Sequence, residues 1–339
     1  MNPLLQLLLP VGLIVSLLMP VATHQPTPPA TNKSKTDMIL GADISFLPEL
    51  EAKGIKFTVD GKQDDAIMIL KKYGFNYIRL RLFADPQADS GYSKEGYCGL
   101  PQTIVMAKRI KQAGMKWLLD FHYSDNWADP QKQFKPDAWK HLPFPQLTQT
   151  VHDYTFNVMT VLSEEGVLPD MVQIGNEINH GMLWPEGSFE HPDSLALLIK
   201  AGIAGVKEVA PSVKIMLHIA LGGQNKESIQ WLDAMTERGI QFDIIGESYY
   251  PQWHGTIAEL QQNLNDLSSR YKQDVLVAEY TQHKTEVNDI AFNLPDGEMK
   301  GTFIWEPLNT WEFIFDKQGN AIDSLLNLYP VIAKKYKVR

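Results

Sequence analysis

The segment Pro169–Gly187, "PDMVQIGNEINHGMLWPEG", contains an apolar run that ends in two adjacent polar residues. The run rises through Met171 and Ile174, stops at a glycine, and is followed directly by Asn176 and Glu177. A carboxylate at the end of a buried strand is costly unless other groups there stabilise it or use it. The segment therefore predicts a buried strand that ends in a candidate functional glutamate, and it raises the question of that glutamate's partner.

Seven further runs share this character, being short, aliphatic or β-branched, and bounded by turn residues. The eight candidate strands are residues 38–45, 76–82, 116–122, 171–177, 214–220, 242–248, 274–280 and 301–307. Amphipathic segments of helical period separate them, including 64–74, 100–114, 192–210 and 227–239. An eightfold β–α alternation over about 270 residues predicts the α/β class and a single (β/α)8 TIM barrel rather than a doubly wound sheet.

The amino terminus differs in composition from the rest of the chain. An uncharged apolar run predicts a secretory signal peptide over residues 1–23. Residues 24–36, rich in Pro, Thr and Lys, predict a disordered spacer, which leaves residues 37–339 for the barrel. Because no Lys or Arg precedes the apolar run, an uncleaved membrane anchor stays open. We expect a secreted or periplasmic protein.

Charge and cysteine content limit the partners. The chain has 31 basic and 40 acidic residues, and removal of Lys33 and Lys35 with the leader leaves 29 and 40, a net charge of −11. Such a surface repels nucleic acid and anionic membranes and suits a neutral or cationic ligand. The lone Cys98 excludes an intrachain disulfide and is expected to be a small buried or loop residue. We expect a monomer, which leaves the mouth of the barrel open.

The ends of the candidate strands are rich in polar side chains. In a (β/α)8 barrel these ends converge on one mouth, where the active site lies. Carboxyl groups and aromatic rings together favour glycoside hydrolysis, which needs a proton donor and a second carboxylate, with flat rings for the sugar. Neither an H-E-x-x-H motif nor a glycine-rich phosphate loop occurs, so we predict no metal or cofactor. The residues alone leave the catalytic pair open among Glu177, Glu247, Glu279 and Glu306.

Longer motifs carry a resemblance to a known family. The motifs are "GADISFLPELEAKG", "NYIRLRLFADP", "DFHYSDNWADP", "VQIGNEINHGMLWPEG", "GESYYPQWHG" and "WEPLNTW". In this order they resemble the glycoside hydrolase family 53 endo-β-1,4-galactanases, which belong to a clan of retaining (β/α)8 glycosidases, and the match runs from about Ile39 to the C terminus. The resemblance implies endo-cleavage of the β-1,4-galactan side chains of pectic arabinogalactan by double displacement.

The resemblance also implies residue roles. Glu177 would be the general acid/base and Glu279 the nucleophile, with their carboxyl groups about 5 to 5.5 Å apart. Asn176 would bind the 2-hydroxyl of the sugar, and Arg81 would keep the nucleophile ionised. Further substrate contacts are implied for Asp43, His122, Asp125, Trp127, His218, Tyr249, Tyr250, Trp253 and Trp305.

Several positions depart from the family pattern. Glu247 stands where an aliphatic residue is usual, and we expect it to pair with a cation in the cleft, to bind a substrate hydroxyl, or to compete as a catalytic residue. Ala84 and Ala220 replace polar residues, and the short stretch 281–300 gives no basis for a calcium site. These departures keep open a related glycosidase that acts on another β-glycan or galactoside. A second alternative is a glycan-binding barrel without catalysis, which the presence of both Glu177 and Glu279 disfavours.

Overall fold

A closed barrel of eight parallel strands forms the centre of the molecule in the computed structural model, which describes residues 36–308 and 313–339. We label the barrel strands β1 Asp37–Asp43, β2 Tyr77–Leu82, β3 Lys116–Phe121, β4 Met171–Ile174, β5 Lys214–Ile219, β6 Ile244–Tyr249, β7 Asp274–Tyr280 and β8 Met299–Trp305. Each strand pairs with its sequence neighbours, and β8 pairs with β1. The predicted TIM barrel is therefore confirmed. The predicted signal peptide and all of the spacer except Thr36 lie outside the described residues.

Helices follow every barrel strand. They are α1 Leu47–Ala52, α2 Ala66–Lys72, α3 Leu100–Gln112, α4 Phe144–Glu164, α5 Pro192–Val209, α6 Asn225–Glu237, α7 Pro251–His254, α8 Ile257–Arg270, α9 Lys284–Phe292, α10 Asp323–Leu326 and α11 Leu328–Tyr336. Local sequence sets several starts: Asp65 caps two backbone N–H groups of α2, and Thr256 forms a capping box with Glu259 at α8. Among the described helices, none is both long enough and apolar enough to cross a membrane.

The connection between β1 and β2 contains a feature that the sequence patterns did not predict. Residues Thr58–Val59 and Lys62–Gln63 form a two-stranded antiparallel hairpin between α1 and α2. The hairpin lies outside the barrel sheet. Its strands of two residues are too short to produce a period-two pattern in the sequence.

The two faces of the barrel strands have different partners. Outward side chains pack against the helices, as expected for a strand whose residues alternate between faces. Inward side chains form a separate apolar cluster at the amino-terminal side of the barrel, which includes Leu118, Met171, Met216, Leu276 and Phe303. Towards the carboxyl ends the inward positions become polar, and these residues are Asp43, Arg79, Asp120, Gln173, His218 and Ser248. The apolar cluster thus lies beneath this layer of polar side chains, which forms the polar floor of the barrel mouth.

Candidate active site

A cleft of about 650 Å³ opens at the carboxyl ends of the strands. Ten of the residues predicted from the sequence line it: Asp43, Arg81, His122, Trp127, Asn176, Glu177, Tyr250, Trp253, Glu279 and Trp305. They come from seven of the eight strands or from the loops that follow them, so the barrel gathers side chains that lie far apart in the chain.

Glu177 is held by an unusual turn after β4. Gly175 and Glu177 both have positive φ angles, 79° and 49°, and a short 3₁₀ turn follows at Ile178–His180. A Cβ on residue 175 would lie 2.6 Å from Cγ2 of Ile178, so only glycine fits there. A non-glycine residue with positive φ stores backbone strain, and such strain clusters at functional sites. The turn places Glu177 at the cleft surface.

Glu279 reaches the cleft through an irregularity in β7. Val277 pairs with Glu247 of β6, but the next pair joins Glu279 with Ser248, so β7 contains one extra residue. Leu276 and Ala278 point into the barrel, and strict alternation would send the side chain of residue 279 outward. Because a bulge shifts this alternation, the Glu279 side chain points inward and lines the cleft.

Arg79 organises the floor of the cleft. Its Nη1 donates to Glu279 Oε1 at 2.6 Å and to Asp43 Oδ2 at 2.9 Å. Its Nη2 donates to Asp120 Oδ2 at 2.8 Å and to Asn176 Oδ1 at 2.9 Å, and its Nε donates to Gln173 Oε1 at 3.1 Å. All the donor groups of this buried guanidinium are thus used, which fixes its position.

The expected contact between Arg81 and Glu279 is therefore wrong, because Arg79 occupies that place. Arg81 donates instead to Glu306 Oε1 at 2.7 Å. Its guanidinium carbon lies 4.3 Å from the ring centroids of both Phe46 and Trp127. Both arginines point inward because they are two residues apart on β2, so alternation alone cannot distinguish them. Arg81 supports the aromatic wall of the cleft.

The two cleft glutamates have different electrostatic surroundings. Burial and then the nearby Glu279 charge raise the pKa of Glu177 above its usual value. Burial also raises the pKa of Glu279, but the adjacent Arg79 cation opposes that effect. Glu279 Oε2 also accepts from the Tyr250 hydroxyl at 2.9 Å. Glu177 has a different neighbour, because its Oε1 lies 2.7 Å from the hydroxyl oxygen of Ser248. A proton shared by the pair is consequently held by Glu177, and Glu279 carries the charge.

Aromatic rings and His122 form part of the cleft walls. Trp253 is 56% exposed, and its ring centroid lies 5.6 Å from that of Tyr250. Trp127 and Trp305 face each other edge-on with centroids 6.3 Å apart. His122 lies 3.0 Å from Asp120 through Nε2 and accepts from the Ala128 N–H through Nδ1, which fixes it as the neutral Nε2–H tautomer. Flat apolar faces beside hydrogen-bonding groups suit a sugar ring.

Four predicted substrate contacts lie outside the cleft lining. Asp125 uses both carboxylate oxygens to accept from the backbone N–H groups of Asp85 and Asp137, so it ties two loops together. Tyr249 is buried on the outward face of β6 and donates to Gly255 O. His218 lies beneath the cleft surface, fully buried. The fourth is Glu247.

Glu247 lies on the outer side of the barrel wall, so the expected roles in the cleft are corrected. Its Oε2 accepts from the Leu221 N–H at 3.1 Å, and its Oε1 lies 2.9 Å from Ser228 Oγ of α6 and 3.4 Å from Asn263 Nδ2 of α8. Burial raises the pKa of Glu247 to about 8. The carboxyl group therefore joins a strand, a loop and two helices.

Four residues of the polar floor were missed as functional candidates: Arg79, Asp120, Gln173 and Ser248. Strand alternation could have found Arg79 and Asp120, since each lies two residues before a predicted site residue, Arg81 or His122, and so shares its face. Within residues 36–308 and 313–339, no group of three or more His, Cys, Asp or Glu side chains could hold a metal ion.

A (β/α)8 barrel with two opposed carboxyl groups in an aromatic cleft defines the glycoside hydrolase class of site. Residues 39–327 match the model of glycosyl hydrolase family 53. The chain therefore belongs to this family.

Curated relatives support the assignment. The chain is 47% identical over 250 residues to an uncharacterised protein of the bgaB 5′ region in Niallia circulans, covering 71% of this chain and 66% of that protein. It is 34% identical over 255 residues to an arabinogalactan endo-β-1,4-galactanase of Cellvibrio japonicus, covering 72% and 65%. The matched region is thus about two thirds of the length of these relatives.

A solved structure shows the same fold. The family 53 catalytic domain of Ignisphaera aggregans superposes with a TM-score of 0.81 at 33% identity, covering 87% of this chain and 96% of that one.

Proposed function

We propose that this chain is an endo-acting β-1,4-galactanase that cleaves by double displacement with retention of configuration. The observation that carries the proposal is the asymmetric pair at the mouth. Glu279 is bound by the Arg79 cation and the Tyr250 hydroxyl, whereas Glu177 has a neutral hydroxyl as its neighbour. One ionised and one protonated carboxyl group are the two components that a retaining glycosidase needs.

In the first step, a carboxylate oxygen of Glu279 attacks the anomeric carbon. Glu177 donates its proton to the glycosidic oxygen as the bond to the leaving sugar breaks. The product is a glycosyl ester on Glu279, which has lost its charge. Tyr250 and Arg79 hold the carboxylate in place for attack, so no ordering of the nucleophile is needed during the reaction.

In the second step, Glu177 is ionised and acts as the base. It removes a proton from a water molecule, the oxygen attacks the anomeric carbon, and the ester bond to Glu279 breaks. Glu177 regains its proton and Glu279 its charge, so the starting state is restored. A separation of about 5 to 5.5 Å between the carboxyl groups is required for this double displacement and stays a prediction.

The cleft supports a polymeric substrate. Rings of Trp127, Trp253 and Trp305 line it, and such faces pack against the C–H side of a pyranose. The side-chain oxygen of Asn176 accepts from Arg79, and one of its two amide hydrogens is donated to Ala128 O. The other amide hydrogen is left for the 2-hydroxyl of the sugar. Similarity to the arabinogalactan endo-β-1,4-galactanase of Cellvibrio japonicus supports galactan as the polymer.

The test is incubation of the purified protein with β-1,4-galactan. We expect a rapid fall in chain length, short oligosaccharides, and new reducing ends that NMR detects first as the β-anomer. Glu279→Ala should abolish turnover, and added azide should give an α-galactosyl azide. Glu247→Gln, a change outside the cleft, is the matched control. Full activity of Glu279→Ala would contradict the assignment.

A second substrate is favoured by one observation. Ala220, which stands where the family commonly has an acid, lines the cleft and gives no polar contact to a sugar hydroxyl through its side chain. A related β-glycan or galactoside with a different hydroxyl pattern would suit that gap. Products from such a polymer, with none from β-1,4-galactan, would select this alternative while keeping the same catalytic pair.

We also propose that the protein is exported, secreted or periplasmic, and acts as a monomer. The apolar run at residues 1–23 supports export, and the size of a pectic polymer requires an extracytoplasmic enzyme. N-terminal sequencing of the exported protein and its mass in solution test the two statements separately.

A further inference from the structure

A chain of buried hydrogen bonds ends on the carboxyl group of Glu177. Ser248 Oγ lies 2.7 Å from Glu177 Oε1 and 2.8 Å from Nε2 of His218. Nδ1 of His218 lies 3.0 Å from Asn176 Oδ1 and 3.1 Å from Gln173 Nε2. Ser248, His218 and Gln173 are completely buried. Their hydrogens must therefore be shared among these atoms, because buried polar groups are hydrogen-bonded.

Arg79 fixes the orientation of the two amides in this chain. A guanidinium only donates, so the atoms at 2.9 Å from Nη2 and 3.1 Å from Nε are the side-chain oxygens of Asn176 and Gln173. The two hydrogens on Gln173 Nε2 then go to Asp120 Oδ1 at 2.6 Å and to Gly175 O at 2.9 Å. No hydrogen of Gln173 is left for His218.

The amide orientations determine the tautomer of His218. Its Nδ1 faces the oxygen of Asn176, so Nδ1 must carry a hydrogen. Burial and the Arg79 cation lower the pKa of His218 well below its usual value, so the ring is neutral and Nε2 is an acceptor. The single hydroxyl hydrogen of Ser248 then points to Nε2. The oxygen of Ser248 is left to accept, and the group that faces it is Glu177.

We propose that His218 and Ser248 are positioning residues that hold the proton of Glu177, through a chain whose donors all point away from that carboxyl group. The proposal rests on the proposed function, in which Glu177 is the general acid. When Glu177 is ionised, Ser248 must turn its hydrogen towards the carboxylate, and His218 Nε2 loses its donor. The chain thus favours the protonated form and the return of the proton in the second step.

Other charged and titratable groups face both ends of the chain. They are Glu279, Asp129 and Arg79 around Glu177, and Arg79, His122 and His254 around His218. Replacing Ser248 alters none of these charges. A comparison between the wild-type protein and a Ser248 variant therefore isolates the contribution of the hydrogen-bond chain.

The first test measures the tautomer directly and needs no substrate. The full chain, labelled with ¹⁵N-histidine, is studied by long-range ¹H–¹⁵N NMR at neutral pH, and His218→Gln identifies the resonances. We expect a neutral ring with hydrogen on Nδ1. Hydrogen on Nε2, or an imidazolium, would overturn the proposal. If His218→Gln does not fold, Ser248→Ala identifies the same ring through the change at Nε2.

The second test uses the pH profile of kcat/KM on β-1,4-galactan. Ser248→Ala removes the acceptor for the Glu177 proton, so the alkaline limb should move to lower pH by about one unit. Ser248→Thr, which keeps the hydroxyl, should restore the limb. If the alkaline limb of the Ser248→Ala profile instead moves to higher pH, Ser248 donates to Glu177. That result contradicts the proposal, and so does a limb that does not move.

The two tests separate failure of this inference from failure of the proposed function. If galactan is not cleaved but the NMR spectrum shows the Nδ1–H tautomer, the hydrogen-bond chain stands and the substrate assignment fails. If galactan is cleaved and the tautomer is Nε2–H, only the inference fails.

Discussion

Glu177 and Glu247 are two glutamates at the carboxyl end of the barrel, and burial raises the pKa of both. They lie on opposite sides of the barrel wall. Glu177 lines the cleft and faces a second carboxyl group. Glu247 is 0% exposed and contacts a loop and two helices. A raised pKa therefore reports desolvation in each case, and only access to the cleft distinguishes a candidate acid from a structural carboxyl group.

The difference also shows how one strand serves two functions. On β6, Ser248 points inward to Glu177, while its neighbour Glu247 points outward to the helices. Successive side chains of a strand point to opposite faces. Ser248 and Glu247 are thus adjacent in sequence, but Ser248 contacts the cleft glutamate Glu177 and Glu247 ties the strand to the helices outside the barrel.

The largest expected difference is between Glu279 and Glu247. Glu279→Ala removes the proposed nucleophile and should lower kcat on galactan by roughly 10⁴-fold or more. Glu247→Gln keeps the shape of a group that does not reach the cleft, so kcat and KM should match those of the wild type. Steady-state kinetics of both variants check this. A large loss of kcat in a folded Glu247→Gln protein would place that carboxyl group in the reaction.

Removal of Glu177, the proposed acid, should have a smaller effect that depends on the leaving group. Glu177→Gln should lower kcat on galactan by about 10²- to 10⁴-fold, because the leaving oxygen is no longer protonated. An aryl galactoside with an acidic phenol needs little protonation, so formation of the glycosyl-enzyme should persist and appear as a burst of phenol. Equal losses on both substrates would argue against Glu177 as the acid.

The two arginines of β2 should differ in their effect on stability. Arg79→Lys cannot replace a guanidinium that binds five partners, and unpaired buried acids would remain, so we expect a loss of about 3 kcal/mol in the free energy of unfolding. Arg81→Lys should cost less, since Nε and Nη2 of Arg81 have no hydrogen-bond partner in the part of the chain that the structure describes. Denaturant unfolding measures both, and a reversed order would contradict the assigned contacts.

The smallest effect concerns the pH dependence of folding. Glu247 keeps its proton in the folded protein up to about pH 8, whereas the unfolded chain releases it near 4.5. The folded state binds the extra proton between these values, so this residue's contribution to stability is fully present below pH 4.5 and is lost as pH rises towards 8. Glu247→Gln should flatten that decline, by about 1 to 3 kcal/mol across the window.

Unfolding free energies at pH 5, 6.5 and 8 test this prediction. The matched control is Glu190→Gln, a change at an exposed glutamate in the loop before α5. The control should follow the wild-type curve. A Glu247→Gln protein with the same pH dependence as wild type would mean that Glu247 is ionised in the folded state.

Much of the fold could be predicted, because aliphatic runs bounded by turns mark the strands of a closed parallel barrel independently of their surroundings. All eight candidate strands overlap the observed ones, and β7 agrees at both ends. The predicted Asp43, Glu177 and Glu279 all line the cleft, although Glu177 does so through the turn after β4 and Glu279 through the bulge in β7. The hairpin at Thr58–Gln63 was missed, since its strands are too short for a periodic pattern.

The sequence by itself determined the barrel, its mouth and the family, because these depend on periodicity and on long motifs. Only the tertiary structure decided which arginine binds Glu279, because both arginines of β2 point inward. It likewise decided the outward position of Glu247 and the inward position of Glu279. The latter depends on a bulge that no local sequence pattern predicts. Both faces of a barrel strand are buried, so hydrophobicity cannot indicate which of two alternating sets faces the cleft.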